Sequence, residues 1–249
     1  MLEYIIIFIT GLIFGSFLNV IIYRLPREES IVFPASHCPS CQNTLQAIDL
    51  IPVLSFVFYR GKCRYCKEKI SWQYPFVELL TGILLLLLYM KYYFTTEFVI
   101  YGLLVLVLIA ISVIDFKLRI IPNKITYPGV IIAFILSVFF EHITILSSLL
   151  GILIPAGLFL LIALIYQKGL GMGDVKLVAL IGAVLGWQYT LLAIFIGSFI
   201  GAIIGITLIL TKIMDRRVQI PFGPYISFGT IIVLLYGERL IEMYLNFVY

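Results

Sequence analysis

The chain has 249 residues, of which 62% are hydrophobic and only 12% are charged, and its mean hydropathy is +1.13. Soluble domains carry about 25% charged residues, so this composition excludes a water-soluble globular protein and predicts a polytopic membrane protein. The formal net charge of +4 is explained by basic loops that face the headgroups of membrane lipid, and it requires no nucleic-acid partner.

The membrane-spanning segments are predicted from apolar runs, since about 18 or more such residues are enough to cross a bilayer. Seven runs of this kind lie near residues 3–23, 75–93, 97–114, 124–140, 144–166, 188–211 and 226–247. A shorter apolar run, 175–187, makes an eighth span. We therefore predict an all-α polytopic membrane protein with about eight transmembrane helices.

The distribution of lysine and arginine predicts how these helices are oriented, because basic residues in short loops stay on the cytoplasmic side. All but two of the 17 basic residues, Lys91 and Arg239, fall in alternate loops. Eight spans with both termini outside satisfy this pattern, whereas seven would place one basic loop on the wrong face. We expect the segment 24–72, which includes seven of these residues, to be cytosolic.

Three parts follow from this topology: a first transmembrane helix (1–23), a cytosolic loop (24–72) and a membrane core (73–249). The loop contains "CPSC" at 38–41 and "CRYC" at 63–66, separated by 21 residues. Two C-x2-C pairs can present four thiolates to a tetrahedral zinc ion, so we predict a small zinc-ribbon-like insertion. The predicted ligands are Cys38, Cys41, Cys63 and Cys66. Four cysteines complete a structural zinc site and leave no open position for catalysis.

Two disulfides are the alternative for these cysteines. The cytosol keeps thiols reduced, and the loop is predicted to be cytosolic, so zinc is favoured.

Two aspartates at membrane depth are the candidate catalytic residues, because ionisable groups there are rare and usually functional. Asp115 ends an apolar run, and Asp174 begins one behind Gly169, Gly171 and Gly173. By the predicted topology both lie at cytoplasmic ends of spans. Two carboxylates in one low-dielectric site do not both ionise readily. One could then activate water while the other hydrogen-bonds a scissile carbonyl, as peptide hydrolysis requires.

A structural role is the alternative for each aspartate. Either could cap backbone groups at a helix end. Asp174 could also pair with Lys176, and Asp115 with Lys117. Two aspartates at similar depth, one of them in a glycine-rich setting, favour the functional interpretation.

Six motifs occur in order along almost the whole chain: "GSFLNVIIYRLP" at 15–26, the two cysteine pairs, "SWQYPFVELLTG" at 71–82, "DFKLRIIPN" at 115–123, "GMGDVK" at 171–176 and "IPFGPYISFG" at 220–229. In these motifs the chain resembles the type IV prepilin peptidases, a family of GxGD intramembrane aspartic peptidases. The last motif contains "IPFGPY", which we interpret as a rigid turn beside the site without a catalytic side chain.

The resemblance implies a function. Such enzymes remove the short basic leader from type IV prepilins or pseudopilins at the cytoplasmic face of the bacterial cytoplasmic membrane. Many then methylate the new N-terminal amine with S-adenosylmethionine. The resemblance assigns catalysis to Asp115 and Asp174, and zinc binding to the four cysteines.

For the methylation activity, the candidate cofactor-binding residues lie in the first two spans: Gly15, Ser16, Asn19 and Glu78. Close helix packing is the alternative for Gly15 and Ser16, and an interhelical hydrogen bond for Asn19. Glu78 lies in an apolar run and should face the interior of the bundle with a partner there. It could contact cofactor or substrate amine, or be structural.

Two other functions fit the same residues. One is a related GxGD peptidase that acts on other leaders. The other is a membrane transporter, or a pilus or competence assembly scaffold, in which the aspartates relay protons or bind a cation.

Overall fold

The computed structural model describes residues 1–140, 142–166, 170–213 and 220–248. Gly169 of the glycine-rich stretch lies outside these residues, as do the basic residues Lys168, Arg216 and Arg217. The described chain forms helices, two short 3-10 segments (Leu25–Arg27 and Ala47–Leu50) and isolated β-bridges. The helices are α1 (Leu2–Arg24), α2 (Leu54–Phe58), α3 (Gln73–Tyr92), α4 (Thr96–Leu118), α5 (Asn123–Phe140), α6 (Ile145–Ile165), α7 (Met172–Leu210) and α8 (Gly223–Val248).

Six helices are long and apolar enough to cross a membrane within the described ranges: α1, α3, α4, α5, α6 and α7. The 39 residues of α7 contain a break at Gly186, where φ is 75° and ψ is 172°. This break falls at the end of the short predicted span, so α7 joins the spans predicted at 175–187 and 188–211. α8 covers the remaining predicted span, and charged residues interrupt its second half at Glu238, Arg239 and Glu242. The prediction of an all-α membrane protein with about eight helical spans is confirmed.

The chain divides into two compact units, Met1–Tyr93 and Phe94–Tyr249. In the first unit α1 packs along α3. Small residues make this contact close, since a Cβ on Gly11 would lie 2.7 Å from Cα of Gly82. At one end of the pair the hydroxyl of Tyr89 donates a 2.6 Å hydrogen bond to Glu3.

In the second unit α7 is the central helix, and α5, α6 and α8 pack against it, while α4 packs on α8. The contact of α6 with α7 depends on two facing glycines. A Cβ on Gly151 would overlap the carbonyl oxygen of Gly182, and a Cβ on Gly182 would overlap that of Gly151. Small residues of this kind let membrane helices approach to backbone contact.

The break at Gly186 leaves carbonyl groups of α7 without their usual helical donors, and membrane proteins satisfy such groups internally. The hydroxyl of Ser148 donates to the carbonyl of Ala183 at 2.8 Å. Nε2 of His142 lies 3.3 Å from the carbonyl oxygen of Val184. His142 therefore has a structural role at the bend.

We expect Gly151→Ala to destabilise the protein by about 1–3 kcal/mol, because the added methyl group meets backbone that has to move. The matched control is Gly157→Ala in the same helix, where a Cβ would have no atom of a described residue within 4 Å. Thermal unfolding in detergent should show a lower midpoint for the first variant only. Equal midpoints would contradict the packing described for α6 and α7.

Candidate functional sites: a buried aspartate pair and a tetracysteine cluster

Asp115 lies in the last turn of α4 and is buried. Its Oδ2 accepts a 3.0 Å hydrogen bond from the backbone N–H of Gly223. Gly223 begins α8, and the first N–H groups of a helix have no partner within that helix. A Cβ at this position would lie 2.7 Å from Oδ2 of Asp115, so the contact requires a glycine.

Asp174 lies in the first turn of α7 and is also buried. Its Oδ2 accepts a 3.1 Å hydrogen bond from the N–H of Gly171. Its own N–H donates to the carbonyl of Gly171 at 3.0 Å. Asp174 therefore does cap its own helix, as the structural alternative proposed, and its carboxylate is held in a defined position by this reciprocal pair of bonds.

Ile121 connects the surroundings of the two carboxylates. A Cβ on Gly173 would lie 2.9 Å from Cβ of Ile121, and a Cβ on Gly223 would lie 3.5 Å from its Cδ1. One side chain thus contacts the backbone beside Asp174 and the backbone that binds Asp115. The two carboxylates are also near enough to interact electrostatically. The structure brings the two predicted aspartates to one site.

Neither aspartate forms an ion pair with a lysine or arginine of the described chain. Nζ of Lys176 instead donates a 2.7 Å hydrogen bond to Oδ1 of Asn123 and lies 4.9 Å from the ring centroid of Tyr127. This contact joins the start of α7 to the start of α5. Two buried carboxylates without a counter-cation favour one shared proton, which suits acid and base catalysis by the pair.

Sequence reasoning missed two contributors to this site, the N–H of Gly223 and the side chain of Ile121. The "IPFGPY" motif contained the signal for Gly223, since a lone glycine between two prolines marks a defined backbone turn. Gly223 supplies a backbone N–H donor to the site. The sequence showed only that the motif has no catalytic side chain.

The four candidate methylation residues come together where α1 meets α3. Oε2 of Glu78, which is buried, accepts a 2.7 Å hydrogen bond from the N–H of Val53, and the Ser16 side chain also interacts with this carboxylate. A Cβ on Gly15 would lie 2.6 Å from Cα of Glu78. Gly15 therefore has the close-packing role described as its alternative.

Asn19 is buried and its side-chain amide forms three hydrogen bonds. Nδ2 donates to the carbonyls of Gly15 and Tyr74 at 3.3 and 3.1 Å, and Oδ1 accepts from Nε2 of Gln73 at 3.1 Å. The bond to Gly15 lies within α1, whereas those with Tyr74 and Gln73 are the interhelical role described as the alternative for Asn19, and they fix α1 against the start of α3.

The four cysteines are free thiols whose Sγ atoms all lie within 4.8 Å of one another. Sγ of Cys38 and Sγ of Cys66 are 3.9 Å apart, far beyond the roughly 2.05 Å of a disulfide. The cluster could hold a metal ion. Burial would raise the pKa of the Cys38 thiol, but hydrogen bonds from the backbone of Cys41 and Ser40 and from the side chains of Cys41 and Cys63 together lower this pKa to about 7.

Both cysteine pairs have the same local backbone structure. The N–H of the fourth residue after the first cysteine donates to that cysteine's carbonyl, from Gln42 to Cys38 at 2.8 Å and from Lys67 to Cys63 at 3.0 Å. Each donor residue has a positive φ, 60° and 62°. One β-bridge closes each turn, His37 with Thr44 and Lys62 with Lys69. The module therefore consists of two matching knuckles that place their thiols together.

A helical membrane protein with two buried carboxylates in one site has the groups that acid and base hydrolysis of a peptide bond requires. Two family models match this chain, the bacterial peptidase A24 N-terminal domain over residues 9–92 and the type IV leader peptidase family over residues 102–206. The chain belongs to the type IV leader peptidase family. The two matched ranges fall within the two compact units.

Several curated relatives match this chain over nearly its full length, and each is named prepilin leader peptidase/N-methyltransferase. The protein of Bacillus subtilis (strain 168) is 38% identical over 97% of both chains. The protein of Aeromonas hydrophila is 34% identical over 98% of this chain and 94% of the relative. The protein of Pseudomonas aeruginosa is 32% identical over 95% of this chain and 91% of the relative. No solved structure matches the chain at a significant level.

We expect the purified protein to bind one metal ion per chain and Cys63→Ser to lose it, because Cys63 is a buried member of the cluster. His37→Ala is the matched control, since His37 adjoins Cys38 but its Nδ1 lies 3.1 Å from the carbonyl oxygen of Ala35. Metal binding requires thiolates, so acidification should release the ion once protons compete with it for the four sulfurs. Elemental analysis across pH tests this. Unchanged metal content in Cys63→Ser would overturn it.

Proposed function

We propose that this chain removes the basic leader from type IV prepilins or pseudopilins at the cytoplasmic face of the bacterial inner membrane and then methylates the new N-terminal residue. The observation that carries the proposal is the pair of buried carboxylates, Asp115 and Asp174, which share a site without a cation from the described residues. The membership of the type IV leader peptidase family argues against a transporter or an assembly scaffold.

Cleavage follows from acid and base catalysis by the aspartates. Of two carboxylates in one low-dielectric site, one is ionised and the other protonated. The ionised member takes a proton from water, whose oxygen attacks the scissile carbonyl carbon, while the protonated member hydrogen-bonds the carbonyl oxygen. The C–N bond then breaks, and the departing amine receives a proton from the pair. The two groups titrate as a unit, so the roles belong to the pair.

The backbone beside Asp174 supports access by an extended peptide. Gly171 is extended, with φ −84° and ψ 148°. Among the atoms of the described residues, a Cβ there would meet only Oδ2 of Asp174 at 3.4 Å and the nitrogen of Gly173 at 3.8 Å. This open space leaves room for a substrate strand to approach the carboxylate. The apolar helix of the prepilin would enter from the lipid, with its basic leader at anionic headgroups.

Zinc is the metal that the tetracysteine cluster fits best. Zinc binds thiolates at about 2.3 Å in a tetrahedron, so its sulfur ligands are roughly 3.8 Å apart. The Cys38–Cys66 separation of 3.9 Å agrees with this spacing. Zinc would be held by Cys38, Cys41, Cys63 and Cys66, and it would stabilise a module too small to fold around a core of its own.

Methylation is assigned to the first unit, where Glu78 is a buried carboxylate beside α1. S-adenosylmethionine supplies the methyl group when bound. The Glu78 carboxylate suits a positively charged amine, either that of the cofactor or the new N-terminus of the pilin, and Gly15, Ser16 and Asn19 position it from α1. The hydrogen bond from Val53 keeps one of its oxygens oriented.

Asp115→Asn and Asp174→Asn should each lower the cleavage rate by roughly 100-fold or more, because either change removes one half of the acid and base pair. Asp49→Asn is the control, since that carboxylate is bound by Arg64 and Tyr65 in the cysteine module. Mass spectrometry of a co-expressed prepilin would report leader loss. Efficient cleavage by both site variants, with equal expression, would exclude this mechanism.

Glu78→Gln should abolish methylation while leader removal continues, because the substitution removes the negative charge but keeps the shape of the side chain. Glu3→Gln, at the other end of the α1 and α3 pair, should retain both activities. The readout is the mass of the mature pilin, which lacks one methyl group with the first variant only. A fully methylated pilin from Glu78→Gln would rule out its role.

A further inference from the structure

The segment 47–58 exposes apolar side chains, although it lies in a loop that sequence analysis places in the cytosol. These side chains form the α2 apolar surface, which consists of Leu50, Ile51, Leu54, Val57 and Phe58. Leu54 and Val57 are each 67% exposed and Phe58 is 78% exposed. Contiguous exposed apolar groups mark a surface that contacts a partner or a membrane.

A hydrogen bond to α3 determines how deep residues 47–58 lie in the membrane. The N–H of Val53 donates to Oε2 of Glu78 at 2.7 Å, and Glu78 is the sixth residue of α3. The 20 residues of α3 span about 30 Å, which is only enough to cross the hydrocarbon core. The start of α3 must therefore lie at the membrane boundary, and Cα of Glu78 lies about 7 Å inside it. Helical side chains tilt toward the N-terminus, so Val53 lies level with the first two turns of α3.

A second contact places α2 itself beside the start of α3. The rings of Phe56 and Trp72 have centroids 4.8 Å apart. Trp72 immediately precedes α3 and is 76% exposed. Tryptophan is enriched at the membrane–water interface, where its ring is at the level of the headgroups. α2 is therefore at the same level.

The charges that follow α2 match an anionic membrane surface. Arg60 and Lys62 come directly after it, both are exposed, and neither forms an ion pair with a residue that the structure describes. Apolar residues followed by basic ones are typical of segments that lie in the interface, with the apolar face about 5–10 Å deep. The leader of the proposed substrate is basic, so Arg60 and Lys62 would repel it and attract anionic lipid.

We propose that residues 47–58 form an interfacial segment that embeds the α2 apolar surface in the bilayer and binds anionic phospholipid headgroups through Arg60 and Lys62. The segment is thus part of the membrane domain, and it connects the two cysteine knuckles.

The embedded position also accounts for a strained turn. Val53 has φ 60° and ψ −48°, and the N–H of Leu54 donates to the carbonyl of Pro52 at 2.6 Å. This is the γ-turn with positive φ, which is rare and unfavourable for a branched residue. The turn presents the Val53 N–H to Glu78, and burial of the α2 apolar surface in lipid offsets its strain.

The test is photo-crosslinking of the full-length protein in liposomes of equal phosphatidylglycerol and phosphatidylcholine. p-Benzoylphenylalanine is introduced at Phe58 and, as the control, at Asn43, an exposed polar position in the first knuckle. Mass spectrometry should find lipid adducts at position 58 and at least tenfold fewer at position 43. Equal adduct yields at the two positions would overturn the proposal. Crosslinking of position 58 to added prepilin but not to lipid would also overturn the proposal.

The lipid headgroup is tested with the same probe in the Arg60→Gln, Lys62→Gln double variant. With Arg60 and Lys62 unchanged, the lipid adducts at position 58 should be enriched in phosphatidylglycerol, roughly fivefold for each basic residue. The double variant should still form lipid adducts but without this preference. An unchanged preference would overturn the role of the two basic residues. Metal content and prepilin cleavage of each preparation report folding independently of lipid contact, so failure of this proposal is distinguishable from failure of the proposed function.

Discussion

Backbone N–H groups at the starts of two helices hold the buried carboxylates, and the arrangement of the second unit depends on these bonds. A carboxylate in an apolar bundle needs donors from the protein. Asp115 receives the N–H of Gly223 and Asp174 that of Gly171. Such donors carry the partial positive charge of a helix start. They stabilise carboxylates without the full positive charge of a lysine, which would favour ionisation of both and remove the shared proton that hydrolysis needs.

The positions of these helix starts are in turn set by small residues. α7 and α8 approach closely enough that a Cβ on Gly197 would lie 2.9 Å from the carbonyl carbon of Tyr225, and a Cβ on Gly229 would overlap the carbonyl oxygen of Ala193. Side chains of ordinary size would separate the helices and carry Gly223 away from Asp115. Glycines far from the carboxylates therefore contribute to the geometry of the site.

The first unit uses the same kind of bond for another purpose. Glu78 is also buried and also receives a backbone N–H, but from Val53 in a turn outside the spanning helices. The bond connects the cysteine module to the membrane helices at the level of the candidate methylation residues. It places the Glu78 carboxylate next to the proposed interfacial segment.

The sequence by itself determined the membrane class, the helical spans, the cysteine cluster and the two candidate aspartates, because apolar runs, C-x2-C pairs and charges at membrane depth are local patterns. It also located the break in α7, since loop charge required an additional span. Only the tertiary structure decided that Gly223 and Ile121 complete the aspartate site, that Lys176 bonds Asn123, and that Val53 reaches Glu78. These contacts join residues far apart in sequence, often through backbone atoms, and residue identity does not encode where a backbone N–H points until the helices have packed.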